Sequence, residues 1–407
     1  RDGTSHVHTL ETQYVYEDLR PRLVDVDGDG DPEIVTIRTH VGKGAGIMIY
    51  KIDGGALTEF AWVDEIGTSS RWLNIAALYD LDGDGTEEIL IASTDNELIV
   101  LSEAGKGRWR RRFNGPINAV RCARLGPGRE ATVLVATLES WVHALTPDGD
   151  ELWRADTLFL GGDCPGPFSI ATWRPQPDGP REIIVGNYNR CSFFDVAGKR
   201  LGWSRNAGAF QTMTLSDGMD LNNDGCEDAL MYNNWRTLSI IDGKERKMVG
   251  TIGCPGGLGL ALERIDGGVG DLRVLIATDT GVGVLRPQTK TYDFRLDMSP
   301  ISSCIRADLD GDGQREIIIG RLDGFVMVLN EQGKILSRTA IGEPVRGLVR
   351  VPGPTPRLLV ACDSATRLLS PTLHELGSSP TPKLAKLLAH PLGIIAVGTD
   401  GSVSMLR

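Results

Sequence analysis

Short runs of aliphatic residues recur along the chain at a nearly constant interval. Aligned on these runs, nine segments read EIVTIRT, EILIAST, TVLVATL, EIIVGNY, DALMYNN, RVLIATD, EIIIGRL, RLLVACD and GIIAVGT. Runs of this length, bounded by polar and Gly-containing stretches, predict β-strands. Nine runs in 407 residues give one about every 45 residues, the interval of a repeated four-stranded sheet. We number the units one to nine and call each aliphatic run strand B.

A second pattern follows strand B. It consists of a strand, a Gly-containing turn and another strand, as in LIVLSEAGKGRWRRRF, VHALTPDGDELWRADT, SFFDVAGKRLGWSRN, LSIIDGKERKMVGTI and VMVLNEQGKILSRTA. These segments predict β-hairpins, whose strands we call C and D, and a strand A is expected before each strand B. Because no helical periodicity interrupts the pattern, the sequence predicts an all-β fold with residues 1–407 in a single domain.

The two ends of the chain complement each other. The last unit ends in GIIAVGTDGSVSMLR, which supplies strands B and C but no strand D. The N-terminal segment SHVHTLET can supply that missing strand, and such a pairing would remove exposed sheet edges. We therefore predict nine four-stranded units closed by the N- and C-terminal strands, with eight units and a terminal extension as the alternative.

An acidic loop precedes strand B in four of the units. The loops read DVDGDGDPE, DLDGDGTEE, DLNNDGCED and DLDGDGQRE, in units one, two, five and seven. They begin like an EF-hand, but no bidentate Glu stands at position 12 and a strand follows instead of a helix. A tight turn would need one Asp, whereas these loops repeat a carboxylate or amide at positions 1, 3, 5 and 9. The candidate metal-site residues, including position 7 for its carbonyl, are Asp25, Asp27, Asp29, Asp31 and Glu33; Asp80, Asp82, Asp84, Thr86 and Glu88; Asp220, Asn222, Asp224, Cys226 and Asp228; and Asp308, Asp310, Asp312, Gln314 and Glu316.

These oxygen-rich loops predict calcium as the cofactor. Calcium accepts many flexible oxygen ligands, whereas magnesium keeps several of its waters. We expect about four Ca²⁺ ions, which would change the formal net charge from -11 to -3. The calcium ions should act as structural staples, since the loops repel themselves without a cation.

Composition excludes several function classes. A net charge of -11 argues against a nucleic-acid partner, which a basic face would attract. No apolar run approaches the roughly 20 residues of a membrane helix, so no membrane insertion is expected. Seven Cys without a CxxC spacing give no support to a zinc or haem site. Cys164 and Cys191 are expected to lie close together, either as a disulfide or as two buried thiols.

The D-x-D-G-D-G-x-x-E loops resemble the FG-GAP/VCBS repeats of integrin-type calcium-binding β-propellers. The G-K-x-x-W-like hairpins resemble the blades of quinoproteins. The resemblance covers the whole chain, although the acidic motif is intact in only four units. It implies a single β-propeller of about nine four-stranded blades, and a binding scaffold for a protein or glycan in an extracellular, periplasmic or cell-surface location.

The predicted ligand face lies opposite the acidic loops, on units three to five. Amides beside aromatic rings suit a sugar, and Trp, Tyr and Arg equally suit a protein hot spot. In the competing interpretation the Asn side chains cap turns and the Trp side chains wedge between units. The candidate ligand-binding residues are Trp141, Asn187, Tyr188, Asn189, Arg190, Tyr232, Asn233, Asn234, Trp235 and Arg236.

Two enzyme classes remain as alternatives to a non-catalytic role. A polysaccharide lyase needs a base, for which Arg190 or Arg236 could act with Tyr188 or Tyr232. A quinone-dependent enzyme would need a ring of cofactor contacts, and no such set is recognisable. No HExxH, G-x-S-x-G or Walker motif occurs in the chain, so the sequence favours a non-catalytic binding role without assigning any catalytic residue.

Overall fold

The computed structural model of the protein is built from β-strands. It describes residues 22–27, 29, 32–40, 44–53, 56–63, 73–93, 95–102, 105–126, 128, 130–157, 169–176, 178–187, 190–205, 211–215, 219–233, 236–266, 272–351, 356–380, 384–390, 393–398 and 403–406. These residues contain 35 strands and no α-helix. Accordingly, no helix in the described ranges is long and apolar enough to cross a membrane.

The first four units each form one sheet. Unit one contains β1 (Arg22–Val24), β2 (Glu33–His40), β3 (Gly44–Asp53) and β4 (Ala56–Val63). Unit two contains β5 (Leu73–Tyr79), β6 (Glu88–Ser93), β7 (Glu97–Leu101) and β8 (Gly107–Arg112). Unit three contains β9 (Ile117–Ala123), β10 (Thr132–Thr137), β11 (Trp141–Leu145) and β12 (Glu151–Asp156). Unit four contains β13 (Ser169–Trp173), β14 (Glu182–Gly186), β15 (Arg190–Phe194) and β16 (Arg200–Arg205).

The other units continue the pattern. Unit five contains β17 (Gln211–Leu215), β18 (Ala229–Asn233), β19 (Thr237–Asp242) and β20 (Lys247–Gly253). Unit six contains β21 (Gly259–Asp266), β22 (Leu272–Thr278), β23 (Gly281–Arg286) and β24 (Thr291–Asp297). Unit seven contains β25 (Ile301–Ala307), β26 (Glu316–Arg321), β27 (Phe325–Leu329) and β28 (Ile335–Ala340). Unit eight contains β29 (Val345–Val351), β30 (Arg357–Cys362), β31 (Ala365–Leu369) and β32 (Glu375–Pro380), and unit nine contains β33 (Leu384–His390), β34 (Gly393–Gly398) and β35 (Val403–Leu406).

Every sheet is an antiparallel meander in which the strands follow chain order. Each aliphatic run is the second strand of its sheet, as predicted, and is paired on both sides. In units two and seven this strand is buried along nearly its whole length, on both faces. A strand covered on both faces reads as a continuous apolar run, which explains the pattern in the sequence.

The core lies between neighbouring sheets. Ile89 and Ile91 of unit two pack with Ile47 and Ile49 of unit one, and equivalent apolar layers join the sheets in sequence up to unit eight. Because the sheets stack face to face, a unit buries strand B only when it has a neighbour on each side. The acidic loops connect strand A to strand B, so they lie at one end of the sheets.

The last sheet has three strands within the described residues. Its strands β33 and β35 lie near β1 and β4 of the first sheet. The predicted pairing of residues 5–10 with the C-terminal strand falls outside the described residues, so closure by that strand stays a prediction.

Candidate metal centres and ligand face

The position-9 carboxylate ties each acidic loop together. Its side chain is buried and accepts a hydrogen bond from the backbone N–H of position 2. The donor–acceptor distances are 3.0 Å for Val26 to Glu33, 2.8 Å for Leu81 to Glu88, 2.8 Å for Leu221 to Asp228 and 2.8 Å for Leu309 to Glu316. The same bond in four loops shows that position 9 closes the loop onto the start of strand B.

In units one, two and seven, three carboxylates of the acidic loop gather oxygen atoms around one centre. Oxygen atoms within 4.8 Å of one another are offered by Asp25, Asp27 and Asp29, by Asp80, Asp82 and Asp84, and by Asp308, Asp310 and Glu316. Two oxygens bound to one Ca²⁺ at about 2.4 Å can be at most about 4.8 Å apart. The donor chemistry and the spacing therefore fit a calcium ion in these three loops.

The loop backbone supports the same arrangement. Gly83 and Gly85 in unit two, and Gly311 and Gly313 in unit seven, have positive φ. In unit five, Asn223 takes the position of the first of these glycines with a φ of 59°. This backbone region favours Gly and tolerates Asn, which explains why a pair of small turn residues separates the acidic positions.

Position 7 also has a defined role. The backbone N–H of Thr86, Cys226 and Gln314 donates to the carboxylate of Asp84, Asp224 and Asp312, over 2.7, 2.9 and 2.7 Å. Asp31, the corresponding residue in unit one, lies outside the described residues.

The four loops differ in the charged groups around them. In unit one, the ammonium group of Lys51 contacts the carboxylates of Asp27 and Asp29 and lies 3.9 Å from that of Glu33. In unit two, the guanidinium group of Arg108 contacts both Asp82 and Glu88 at 2.8 Å. Arg124 adds a contact of 3.1 Å with Asp80.

Unit five instead carries an additional carboxylate. The side chain of Asp242 is buried and accepts a hydrogen bond of 2.9 Å from the amide of Asn222. Lys244 is 4.0 Å from Asp224 and largely exposed. In unit seven, no Lys or Arg among the described residues forms an ion pair with Asp308, Asp310, Asp312 or Glu316.

Burial changes the acidity of the position-9 side chains. It raises the pKa of Glu33 to about 7 and that of Asp228 to about 6, against the opposing effect of their backbone hydrogen bonds. The pKa values of Glu88 and Glu316 are raised for the same reason. A bound divalent cation would favour the ionised carboxylates and act in the opposite direction.

Two units without the acidic triplet use an ion pair at position 9. Glu182 of unit four receives a hydrogen bond of 2.8 Å from Arg246, which lies in the C–D turn of unit five. In unit six, Arg273 occupies the position and contacts Glu331 of unit seven at 2.8 Å. A direct contact between units thus replaces the acidic loop there.

Tyr232 cannot be a ligand contact on the surface. Its side chain is fully buried between units five and six. Its hydroxyl group donates to the carbonyls of Pro255 and Gly257, at 3.2 and 2.8 Å. Burial also raises its pKa well above the usual range. The assignment of Tyr232 as a ligand residue was wrong, because strand B has no exposed face, and the same burial removes it as the base of a lyase.

Asn187 is also inside the structure. It is 5% exposed and its amide donates to the carbonyl of Thr157 over 3.2 Å. Its role as an exposed sugar contact is therefore contradicted, and it joins units three and four instead. Tyr188, Asn189, Asn234 and Trp235 lie outside the described residues, as does the side chain of Asn233.

The remaining predicted ligand residues are accessible. Trp141 is half-buried, with the guanidinium group of Arg154 stacked 5.2 Å from its ring centre. Arg190 stacks on Trp203 at 4.8 Å. Arg236 is exposed in a turn, with a φ of 69°. These three side chains of the predicted ligand face are at least partly exposed, and they are spread over units three to five.

Cys191 is a buried free thiol, so the structure does not contain the disulfide predicted as one alternative. Burial raises its pKa to about 12. Cys164 lies outside the described residues, and the predicted proximity of the two residues stays a prediction.

Comparisons with known proteins agree with this architecture. Residues 25–91, which include the loops of units one and two, match the FG-GAP-like repeat. Among solved structures, BamB from Moraxella catarrhalis is 14% identical, covers 97% of this chain and 96% of its own, and gives a TM-score of 0.51. Sqt1 from Saccharomyces cerevisiae is 11% identical, covers 81% of this chain and 94% of its own, and gives a TM-score of 0.52. Both are β-propellers. The chain has the β-propeller fold, and its residues 25–91 match an FG-GAP-like repeat. No curated protein sequence matches it significantly.

Aromatic residues on strand D join neighbouring blades of the propeller. Trp109 and Trp153 cover the turn glycines Gly149 and Gly198 of the next blade, where an added Cβ would approach the ring to 2.7 and 2.4 Å. Their indole N–H groups donate to the carbonyls of Pro147 and Val196, at 2.6 and 2.9 Å. The tryptophan of the G-K-x-x-W-like hairpin is therefore a contact between blades.

Trp203 breaks this pattern, and the sequence analysis did not select it. In unit three, Trp153 on strand D pairs with Ala144 on strand C. At the corresponding pair of unit four, Gly202 pairs with Phe193, and Trp203 lies one residue further along strand D. Because successive side chains point to opposite faces, this shift places the side chain of Trp203 on the opposite face of its strand from that of Trp153. Its side chain is 50% exposed.

Trp203 belongs to a wider set of exposed apolar residues. Seven of the eleven exposed large apolar side chains among the described residues lie on strand D of their blades. They are Leu152, Leu201, Trp203, Val249, Ile335, Leu336 and Leu376.

Proposed function

We propose that this propeller is a calcium-stabilised scaffold that binds a protein partner. The observation that carries the calcium part is the grouping of three carboxylate oxygens within 4.8 Å in the loops of units one, two and seven. The additional carboxylate of Asp242 supports unit five as a fourth site. Oxygen ligands of this kind bind calcium in preference to softer metals.

The role of the metal is to stabilise the folded acidic loops, which connect strands A and B of the blades. Each loop brings several carboxylates together at the start of a buried strand, and a cation that binds only the folded loop stabilises the fold by mass action. An extracellular, periplasmic or cell-surface location belongs to the proposal, because modest affinities suffice where calcium is abundant.

The partner surface is proposed to centre on Trp203 and Arg190. An exposed Trp stacked on Arg provides the residue types that dominate protein hot spots. Leu201 lies on the same strand, and Val249 lies on strand D of the adjacent blade. A protein suits these exposed apolar side chains better than a glycan, because two of the amide and aromatic residues chosen for a sugar site, Asn187 and Tyr232, are buried.

Calcium binding is tested by metal analysis and thermal unfolding. We expect bound calcium after dialysis, and a lower melting temperature after chelation that calcium restores and magnesium at the same concentration does not. Unchanged melting in chelator together with no bound calcium would contradict the calcium part of the proposal.

Partner binding is tested by affinity capture from the source organism with the intact propeller. Trp203→Ala and Arg190→Ala should lose a partner that the wild type captures, whereas Ile335→Ala, an exposed residue on the same strand of unit seven, should keep it. Equal capture by all variants would place the partner elsewhere, and binding on a glycan array would favour the glycan alternative.

A further inference from the structure

The four acidic loops are alike in sequence but not in the residues that face them. In each of the four sheets, the position-9 carboxylate on strand B lies opposite one residue of strand C. The strand pairs Ile34–Tyr50, Ile89–Leu101, Ala229–Ile241 and Ile317–Leu329, one residue further along, fix this register. The residues opposite Glu33, Glu88, Asp228 and Glu316 are therefore Lys51, Ser102, Asp242 and Asn330, respectively.

In unit one, the facing residue is a cation. The Lys51 ammonium reaches three of the four carboxylates that would bind calcium, including the buried Glu33. It therefore supplies a positive charge at the centre of the loop from within the protein.

In unit two, strand D supplies the cation instead. Arg108 contacts Asp82 and the buried Glu88, and its other nitrogen contacts Asp148 of the next blade at 3.1 Å. The guanidinium group is held on both sides, so it fills the loop and joins two blades.

Among the described residues, units five and seven have no cation in contact with the position-9 carboxylate. Lys244 is largely exposed and lies 4.0 Å from Asp224, and Arg350 donates to the backbone carbonyl of Asp308 rather than to a loop carboxylate. In unit five, Asp242 adds a buried carboxylate beside Asn222 and so restores the acidic charge that Asn removes from position 3. In unit seven, the described residues place no Lys or Arg in an ion pair with the loop carboxylates, and Asn330 faces Glu316 with a neutral side chain.

An internal cation competes with calcium in two ways. It must leave its carboxylates before the ion can bind, and it then stays tethered near a divalent charge of the same sign. At an effective dielectric constant of about 20, like charges roughly 4 Å apart repel by several kcal/mol, so even partial retention should weaken binding about tenfold or more.

We propose that the loops of units five and seven are the tight calcium sites, whereas Lys51 and Arg108 act as built-in counter-ions that hold the loops of units one and two without metal. This inference rests on the proposed calcium binding and assigns different roles to loops of the same sequence type. Lys51 and Arg108 are the residues that determine the difference.

Calcium titration of the intact protein by calorimetry and equilibrium dialysis tests the inference. The wild type should show two tight sites, with binding to the other loops weaker by about tenfold or more. Lys51→Met and Arg108→Met should each add one tight site and lower the melting temperature in chelator. Lys106→Met and Arg112→Met are the matched controls, since both side chains are exposed on unit two, and should leave the number of tight sites unchanged.

A second series keeps Lys51 and Arg108 in place, in case their variants fold poorly. Asp228→Asn and Glu316→Gln should each remove one tight site from the wild type, whereas Glu33→Gln and Glu88→Gln should remove none. Four equivalent sites, or loss of a tight site in Glu33→Gln or Glu88→Gln, would overturn the inference while leaving the proposed calcium binding intact. Absence of calcium binding at every loop would overturn both.

Discussion

Trp153 and Trp203 give a direct test of whether the strand register decides which tryptophan packs between blades and which is exposed. The ring of Trp153 covers Gly198 of the next blade, and its N–H donates to the carbonyl of Val196 over 2.9 Å. Trp203 lies in the next blade, is 50% exposed and contacts Arg190. Substituting each by Ala should therefore have unequal effects on stability.

The expected loss for Trp153→Ala is about 3 kcal/mol. The hydrogen bond contributes about 1 kcal/mol, and the apolar contact with the turn contributes about 2 kcal/mol for a ring that is only partly buried. For Trp203→Ala we expect less than about 1 kcal/mol, the value of an exposed cation–π contact. With an unfolding entropy of about 2.1 cal/mol/K per residue, these losses correspond to about 3–4 °C and about 1 °C.

Thermal unfolding followed by circular dichroism measures the difference without relying on Trp fluorescence. Trp153→Phe is the control, since it keeps most of the ring contact and loses the hydrogen bond, and it should fall between the wild type and Trp153→Ala. Equal losses for Trp153→Ala and Trp203→Ala would refute the register argument, as would a larger loss for Trp203→Ala.

Three further predictions follow from the loops, the turns and the thiols. In chelator, the free energy of unfolding should fall as the pH rises from about 4.5 to 7. Burial raises the pKa of Glu33 and Asp228, so the folded protein holds protons that the unfolded chain releases. Melting scans should show this slope in chelator, a flatter profile in calcium and a smaller slope for Glu33→Gln. Gly198→Ala should cost about 1–3 kcal/mol more than Gly342→Ala in urea unfolding, because both residues have positive φ but only the Cβ at residue 198 meets a ring, and equal costs would contradict that contact. Cys191, buried with a pKa of about 12, should resist iodoacetamide at pH 8 in the folded protein and react after denaturation, whereas a Cys164–Cys191 disulfide in mass spectrometry would contradict its free state.

The strands were predictable because their pattern follows from burial alone. EILIAS and EIIIGR are strand B in units two and seven, covered by neighbouring sheets on both faces. The same property misled the assignment of Tyr232: the residues that follow it in the sequence, Asn233 and Asn234, are polar, but its strand has no exposed face. Strand periodicity identifies a position inside a sheet, whereas exposure depends on what the next sheet places against it.

In the acidic loops, likewise, the sequence predicted the local features but not the contacts made by distant residues. Spacing within nine residues predicted which carboxylates converge, since their geometry is local. Lys51 and Arg108 are 18 and 20 residues beyond the position-9 carboxylates that they approach, and their approach depends on strand register and on the length of the hairpin. Trp203 did carry a signal in the sequence, because it lies five positions after Gly198, whereas Trp109 and Trp153 lie four positions after Gly105 and Gly149.

Position 9 connects the loops to the way in which the blades hold together. In units four and six the position carries Glu182 or Arg273, and each pairs with an opposite charge on the following blade. In unit two, Glu88 pairs with Arg108, which also reaches the following blade. Only a loop whose position-9 carboxylate has no cationic partner needs an ion from solution to balance its charge. Calcium dependence should therefore concentrate in units five and seven, and a chelator should loosen those blades before it affects units two, four and six.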